Sequence, residues 1–257
     1  MADINVNKLS ITEIDQIMCF NNAGELEFIM DEIQEGTIKN TQEKSDITGK
    51  GGRKIGSLKK NKGVTISATN GLLVGGALAA QTGAEVEQGS YKVRKTEITT
   101  VNSNKATLTG TPVGTAGAEI GYAYIKVNNS LGKKFEQDAT ASATGKFEYA
   151  SQEITFFTGD IPDGTEIVVF YDEEVVSAKI SNDSEKYSKI LKMYIDVTVT
   201  DDCDNLYHGQ YIIPRADFNG EFDIAMGKDP VVHSIEAESL AGGCTGSTSL
   251  WDFIIYK

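Results

Sequence analysis

Six basic residues lie within a run of thirteen that contains no acidic residue, between Lys50 and Lys62 of ITGKGGRKIGSLKKNKG. They are Lys50, Arg53, Lys54, Lys59, Lys60 and Lys62. Lysine and arginine bind phosphates and carboxylates, and glycines let a backbone approach a ligand closely. The chemistry open to this stretch is therefore a phosphate cradle, a nucleic-acid arm, or a grip on an acidic neighbour.

The first two possibilities lack residues that they need. A phosphate loop requires lysine after its second glycine, and GGRKIGS, from Gly51, has Ser57 there. GKGGRK, from Gly49, misses the last glycine of the dinucleotide motif, and no helix follows directly. Single-stranded nucleic acid stacks on aromatic side chains, and none lies among these lysines. An ordinary surface loop and a contact with an acidic partner remain.

Other residues capable of chemistry do not form a recognisable site. The two histidines, His208 and His233, have no neighbouring ligand pattern, and no G-x-S-x-G elbow is present. DDCDN, from Asp201, could start a calcium loop, but Leu206 and Ile212 occupy the positions of its glycine and glutamate. We read it as a solvated turn. The sequence predicts no catalytic residue, cofactor site or metal site, and hence no enzyme.

Charge and cysteine content narrow the class further. The chain of 257 residues has a formal net charge of -13, which disfavours general binding of nucleic acids. Acidic residues dominate from Asp196 onward, so one copy carries both halves of an electrostatic pair, and head-to-tail contacts of that kind build rings and stacks. Cys19, Cys203 and Cys244 are widely spaced and suggest a reducing compartment. We expect neither a signal peptide nor a membrane span.

The elements that position these residues are mostly strands. Period-2 alternation predicts strands at Tyr122–Val127, Glu166–Tyr171 and Ile190–Thr200, and NNAG, from Asn21, predicts a hairpin turn. One helix is expected at about residues 70–82, ending at Gly83. The fold class is mainly β: a β-sandwich or half-barrel of antiparallel sheets with one flanking α-helix and a long extended loop, the arm, at about residues 40–63.

Three stretches of this sequence resemble the major tail tube proteins of long-tailed, siphovirus-type bacteriophages. The first is EKSDITGKGGRKIGSLKKNKGVTISATNGLLVGGALAAQTG, the second is FTGDIPDGTEIVVFYD, and the third is GQYIIPRADFNGEFDIAMGKDPVVHSIEAESLAGG followed by SLWDFIIY. The resemblance implies a core domain formed by residues 1–108 and 164–257. Residues 109–163, where the likeness is thinnest, would be an insertion or a small outward subdomain.

The resemblance also implies a function. Such proteins assemble into stacked hexameric rings, whose inner sheets close into a β-barrel lumen. The arm bridges to adjacent subunits and to the next ring, so the six basic residues would lie at subunit interfaces. The acidic lumen would conduct DNA during ejection without binding it specifically. Further expected partners are tape-measure, tail-tip and terminator proteins. The protein would be made in the host bacterial cytoplasm and reside in the virion tail, with no membrane partner.

Two alternatives stay open. The chain could form the inner tube of a contractile tail or tailocin, which would require a separate sheath. From another class, it could be a carbohydrate-binding, adhesin-like β-sandwich, with exposed aromatic residues and calcium at Asp201–Asp204. An enzyme would need converging acid and base groups that His208 and His233 do not suggest.

Overall fold

The computed structural model describes residues 6, 8–224, 232–242 and 248–257, and the chain divides into two units. Unit 1 comprises Met1–Val86 and Ile180–Lys257, and unit 2 comprises Glu87–Lys179. The predicted mainly β class is confirmed. The elements are β1 (Leu9–Phe20), β2 (Leu26–Met30), β3 (Ile33–Thr48), β4 (Lys54–Asn70), α1 (Gly75–Thr82), β5 (Glu87–Thr100), β6 (Lys105–Thr107), β7 (Tyr122–Val127), β8 (Ser130–Gln137), β9 (Lys146–Ala150), β10 (Glu153–Phe156), β11 (Glu166–Lys179), β12 (Ile190–Asp201), β13 (Leu206–Phe218), β14 (His233–Ser239) and β15 (Asp252–Tyr256).

Unit 1 is built on one antiparallel sheet in the order β2-β1-β12-β13-β14-β4-β3, with β15 also paired to β13. Its strands alternate as a sheet with one buried face requires: in HSIEAES of β14 every second side chain is buried. The sheet curls into a half-barrel. Its curvature brings β1 and β3 so close that a Cβ added at Gly36 would collide with the side chain of Ile14.

The helix α1 packs on β2 and begins later than its predicted start near residue 70. The physical reason is that Asn70 belongs to β4, where it lies buried opposite His233. Gly76 permits close packing, because a Cβ there would lie 2.7 Å from the Glu27 carbonyl oxygen. The helix ends as predicted at Gly83, whose φ of 70° suits glycine and whose missing side chain leaves room for the backbone of Tyr187.

Polar contacts fix α1 and its surroundings to the sheet. The Val74 N–H donates to Nδ1 of the buried His233, 3.3 Å away, while Nε2 of the ring lies 2.8 Å from the Gln81 side-chain oxygen. Burial lowers the pKa of His233. Lys189 Nζ lies 2.9 Å from a Glu27 carboxylate oxygen and 2.6 Å from one of Glu85. Burial opposes the charge of Lys189, but these two carboxylates raise its pKa overall.

Unit 2 has its own sheet, in the order β5-β11-β7-β8-β9-β10-β6, and its own core. All its strand pairs are antiparallel except β8 with β9. Residues 109–163, the predicted insertion, lie inside this unit. The flanking strands β5 and β11 belong to it as well, because they pair with each other along their whole length, from Glu87 opposite Lys179 to Thr100 opposite Glu166. The chain therefore enters and leaves unit 2 through one two-stranded ribbon.

A half-buried carboxylate, that of Glu97, ties a loop of unit 2 to its sheet. Glu97 accepts hydrogen bonds from the Tyr171 hydroxyl at 2.6 Å and from the Thr109 N–H and hydroxyl at 2.7 and 2.9 Å. Burial disfavours the charged form of Glu97, but these bonds outweigh it and hold its pKa below the ordinary value. Burial and the Glu97 carboxylate raise the pKa of Tyr171 strongly.

Among the described residues, no helix has the length and apolar character that crossing a bilayer would require.

Candidate assembly interface

The arm is a two-stranded β-ribbon formed by the ends of β3 and β4. Thr41 pairs with Gly63, and the pairing continues to Thr48 opposite Lys54. Over this length β4 has no second neighbour among the described strands, since β14 pairs with it only between Thr65 and Asn70. At the usual strand rise, nine residues from Thr41 to the tip extend about 30 Å. The segment predicted as an extended loop is thus an ordered projection with a defined register.

Glycines at the tip explain why the chain reverses there. Lys50–Gly52 form a single 3-10 turn, in which Gly51 and Gly52 have φ values of 77° and 78°. The Gly49 N–H donates to the Arg53 carbonyl oxygen at 2.7 Å and closes the turn. Left-handed backbone at two successive positions is costly for other residues, so the glycines that suggested a phosphate cradle serve the turn.

The positive charge of the arm is only partly neutralised within the protomer. Lys54 pairs with Asp46 at 2.5 Å, and Lys60 lies 3.9 Å from a Glu43 carboxylate oxygen. The other four predicted contact residues form no ion pair with any residue that the structure describes; they are Lys50, Arg53, Lys59 and Lys62. Lys59 also stands directly opposite Lys44 across the ribbon. Like charges at that spacing destabilise an isolated ribbon, so the arrangement favours an acidic partner.

The arm also carries exposed apolar side chains. The sequence analysis named only its basic residues as candidate contact residues. Ile47, Ile55 and Leu58 are 49%, 60% and 58% exposed, and all lie near the tip. Ile47 and Leu58 share one face, because their cross-strand partners are Gly56 and Ser45. The two large apolar residues within KIGSLK, Ile55 and Leu58, were the available signal. A cluster of exposed apolar residues rimmed by lysines is typical of an interaction surface.

Unit 1 also presents open strand edges. β3 is the last strand of the sheet order, and β2 covers β1 only from Ile17 to Phe20. Within the described residues, the segment of β1 from Leu9 to Gln16 therefore has one unpaired edge, as does β3 along its length. Open edges offer unpaired N–H and C=O groups to another strand. Both edges are thus available for pairing with a further chain.

The face of this sheet opposite the core is acidic near β14. Glu236 and Glu238 point away from the core, and the adjoining strands add Glu35 and Asp217 on the same face. Glu238 stands directly opposite Asp217. A shallow cavity of about 370 Å³ on this face is lined by Glu35, Glu221, Asp223 and Glu236 among others. We call Glu35, Asp217, Glu236 and Glu238 the acidic face.

The other candidate residues form structural contacts. Asp201 accepts hydrogen bonds from the N–H groups of Cys203 and Asn205, both at 2.9 Å, which closes the β12–β13 turn. Carboxylates of Asp201 and Asp202 and the Cys203 thiol approach one another, and no other group of this kind occurs among the described residues. Hydrogen bonds from the turn itself already occupy Asp201, which accords with its reading as a solvated turn. His208 lies 5.8 Å from the Tyr256 ring.

Cys19 is buried and Cys203 is exposed, while Cys244 lies outside the described residues.

The sequence model of the YomU/Tube protein family matches residues 9–251, which include all of unit 2, most of unit 1 and the whole arm. A search of curated proteins found no match.

Proposed function

Because the chain belongs to the YomU/Tube protein family, whose name indicates phage tube structural proteins, we propose that it is the tail tube subunit of a long-tailed phage. In this proposal six copies form a ring, and rings stack into a non-contractile tube through which DNA passes during ejection. A tape-measure protein occupies the lumen before ejection, and tail-tip and terminator proteins cap the ends.

The arm is the observation that carries this proposal. An isolated two-stranded ribbon is marginally stable in water, and this one projects from the sheet with unpaired cations and three exposed apolar residues. Each surface ion pair contributes only about 0–1 kcal/mol, but a tube repeats the contact with every subunit. Contacts to neighbouring copies would therefore order the arm and join subunits, with Lys50, Arg53, Lys54, Lys59, Lys60 and Lys62 at the interface.

The open edges of β1 and β3 support ring formation. Closed cyclic symmetry joins one edge of each subunit to the other edge of the next, so that no edge remains free. The half-barrel of one copy then becomes one segment of a larger continuous barrel. The same geometry gives a reason for the unpaired length of β1.

The acidic face is suited to line the lumen. A channel lined with carboxylates repels phosphates and lowers nonspecific adhesion of DNA during transit. Asp217 opposite Glu238 costs stability in a free protomer, and such a cost is understandable where function requires a negative wall. We propose that Glu35, Asp217, Glu236 and Glu238 line the lumen.

Unit 2 has a separate core and is connected through a single ribbon, which is typical of an inserted module. We propose that it decorates the outside of the tube.

Negative-stain electron microscopy of the purified protein over a concentration series tests the proposal. We expect rings or hollow tubes from the wild type. The variant Lys54→Glu, Lys59→Glu, Lys60→Glu, Lys62→Glu should remain dispersed. A control with the same charge change in unit 2, at Lys92, Lys105, Lys134 and Lys179, should still assemble. Tubes from all three proteins would refute the role of the arm, and no assembly of the wild type at any concentration would count against the tube itself.

A further inference from the structure

The half-barrel of unit 1 is not closed, and its core is exposed where it stays open. Ile11 pairs with the fully buried Val199 across the β1–β12 ladder, so its side chain points toward the core side of the sheet. Nevertheless, 49% of Ile11 is exposed. Ile38 of β3 is likewise opposite the buried Ile66 but only half-buried itself. Core-facing isoleucines on both strands thus lack a cover on one side.

These side chains line an apolar cleft of about 340 Å³ between β1 and β3, which we call the seam. Ile11, Ile14 and Ile38 form its walls, and Ile66, Ile195 and Val197 lie deeper. The strands do not hydrogen-bond to each other here, since they stand near opposite ends of the sheet order. A cleft of this size accommodates about two or three aliphatic side chains, and leaving it open exposes apolar surface to water.

We propose that the seam receives the arm tip of a second copy of this chain. The inference rests on the proposed function, which requires the arm to contact a neighbour, and it names the surface that the arm contacts. The apolar residues at the tip are Ile47, Ile55 and Leu58. They are exposed in the protomer, and so is Ile11 at the seam.

Charge complementarity supports the same pairing. A second cleft of about 430 Å³ adjoins the seam and shares Ile14 with it. Its lining includes four carboxylates, and none of them takes part in an ion pair with a described residue; they are Glu13, Asp15, Asp31 and Glu32. The arm tip has the reverse arrangement, with Lys50, Arg53 and Lys54 beside its apolar residues. An apolar centre with a charged rim on each side, of opposite sign, gives both affinity and register.

The occupant must come from another copy. The arm is the continuation of β3, which is itself one wall of the seam. A paired ribbon about 30 Å long carries its tip away from the strand from which it extends. The contact is therefore heterologous, with the arm of one subunit on the seam of the next, and repetition of such a contact produces a ring or a stack.

Disulfide trapping between two populations of the protein tests this inference. Both carry Cys203→Ser and Cys244→Ser, which leaves only the buried Cys19. One population carries Ile55→Cys and a size tag, and the other carries Ile11→Cys. After assembly of an equal mixture and oxidation, we expect up to about half of the chains to run as a tagged–untagged dimer on a non-reducing gel, because random mixing gives about half of the arms a neighbour with the complementary cysteine. As the matched control, Leu131→Cys, at 51% exposure in unit 2, replaces Ile11→Cys.

The outcomes separate the two hypotheses. A strong heterodimer from Ile11 and Ile55, absent from the Leu131 control, supports the seam. Assemblies visible by electron microscopy with no more heterodimer than the control overturn the seam but leave the tube intact. A wild type that never assembles overturns the tube, and the seam contact with it. Leu58→Cys with Ile38→Cys forms a second pair if a variant of the first pair does not fold, which circular dichroism detects.

Discussion

Replacing Ile55 and Leu58 together by serine removes apolar surface that contributes little to the fold of the isolated protomer. The two side chains are 60% and 58% exposed on the arm, where each contacts solvent more than protein. We therefore expect the melting temperature of the dispersed protein to stay within about 1–2 °C of the wild type, as for surface substitutions generally. The effect should appear in assembly instead.

The exposed fractions set the size of that effect. Full burial of a leucine or isoleucine side chain contributes about 1.5–3 kcal/mol, so the parts of Ile55 and Leu58 still exposed represent about 1–1.8 kcal/mol each. Together they amount to about 2–3.5 kcal/mol per arm contact. Since about 1.4 kcal/mol corresponds to a factor of ten, the association constant of one contact should fall about 30–300-fold.

The critical concentration for assembly measures this change, by light scattering and by pelleting across a dilution series. Leu131→Ser serves as the matched control, because Leu131 is also an exposed leucine, at 51%, but lies in unit 2. We expect the control to assemble at the wild-type concentration. If the double variant and the control shared one critical concentration, the apolar arm tip would have no part in assembly, and only the charge argument would remain.

Three further predictions concern the stability of the protomer, and thermal melts test each of them. Folding lowers the pKa of Glu97, so this group stabilises the fold above its usual value of about 4.5 and loses that contribution as the pH falls through its folded pKa. Glu97→Gln should therefore be destabilising at about pH 7, and its cost should shrink as the pH falls through the folded pKa of Glu97, which lies below about 4.5; a cost that does not change with pH would contradict the reasoning. Lys189→Met should cost about 1–3 kcal/mol because it leaves a largely buried carboxylate unpaired, whereas Lys126→Met, from a more exposed pair, should cost less than about 1 kcal/mol. Gly83→Ala should cost several times more than Gly24→Ala, because both positions have positive φ but only Gly83 also faces a neighbouring backbone; similar losses would exclude the steric cause.

Local alternation was sufficient to predict much of the sheet structure. Tyr122–Val127 is a strand with the predicted bounds, and Ile190–Thr200 is one residue longer, because in both segments apolar residues recur at every second position. The hairpin at Asn21 forms as expected, with Gly24 at φ 83°. Each of these features depends on residues close together in the chain.

The missed features depend on contacts between distant residues. The late start of α1 follows from Asn70 being held by β4 opposite His233, which lies far along the sequence. The arm reads as a loop because its glycines and lysines have low strand propensity; its register comes from pairing across the whole ribbon. The seam exists only because curvature of the sheet brings β1 near β3, and no local pattern reports curvature.

The position of the seam bears on why the arm is basic in an acidic protein. Assembly through the acidic face would place carboxylates against carboxylates, and assembly through apolar patches alone would not specify a direction. An apolar tip with lysines at its rim favours a seam with carboxylates at its rim over another arm, because two arms repel each other. The basic arm and the carboxylates beside the seam would then serve polarity: each subunit offers one arm and one seam, and only the head-to-tail arrangement satisfies both. These carboxylates lie between Glu13 and Glu32, outside the acidic stretch from Asp196 onward that the sequence analysis noted. This reasoning predicts that reversing Glu13 and Glu32 to lysine should block assembly with wild-type arms and restore it with Arg53→Glu, Lys54→Glu arms. If the wild type forms tubes but the variant with the reversed seam does not assemble with reversed arms, this reasoning is refuted.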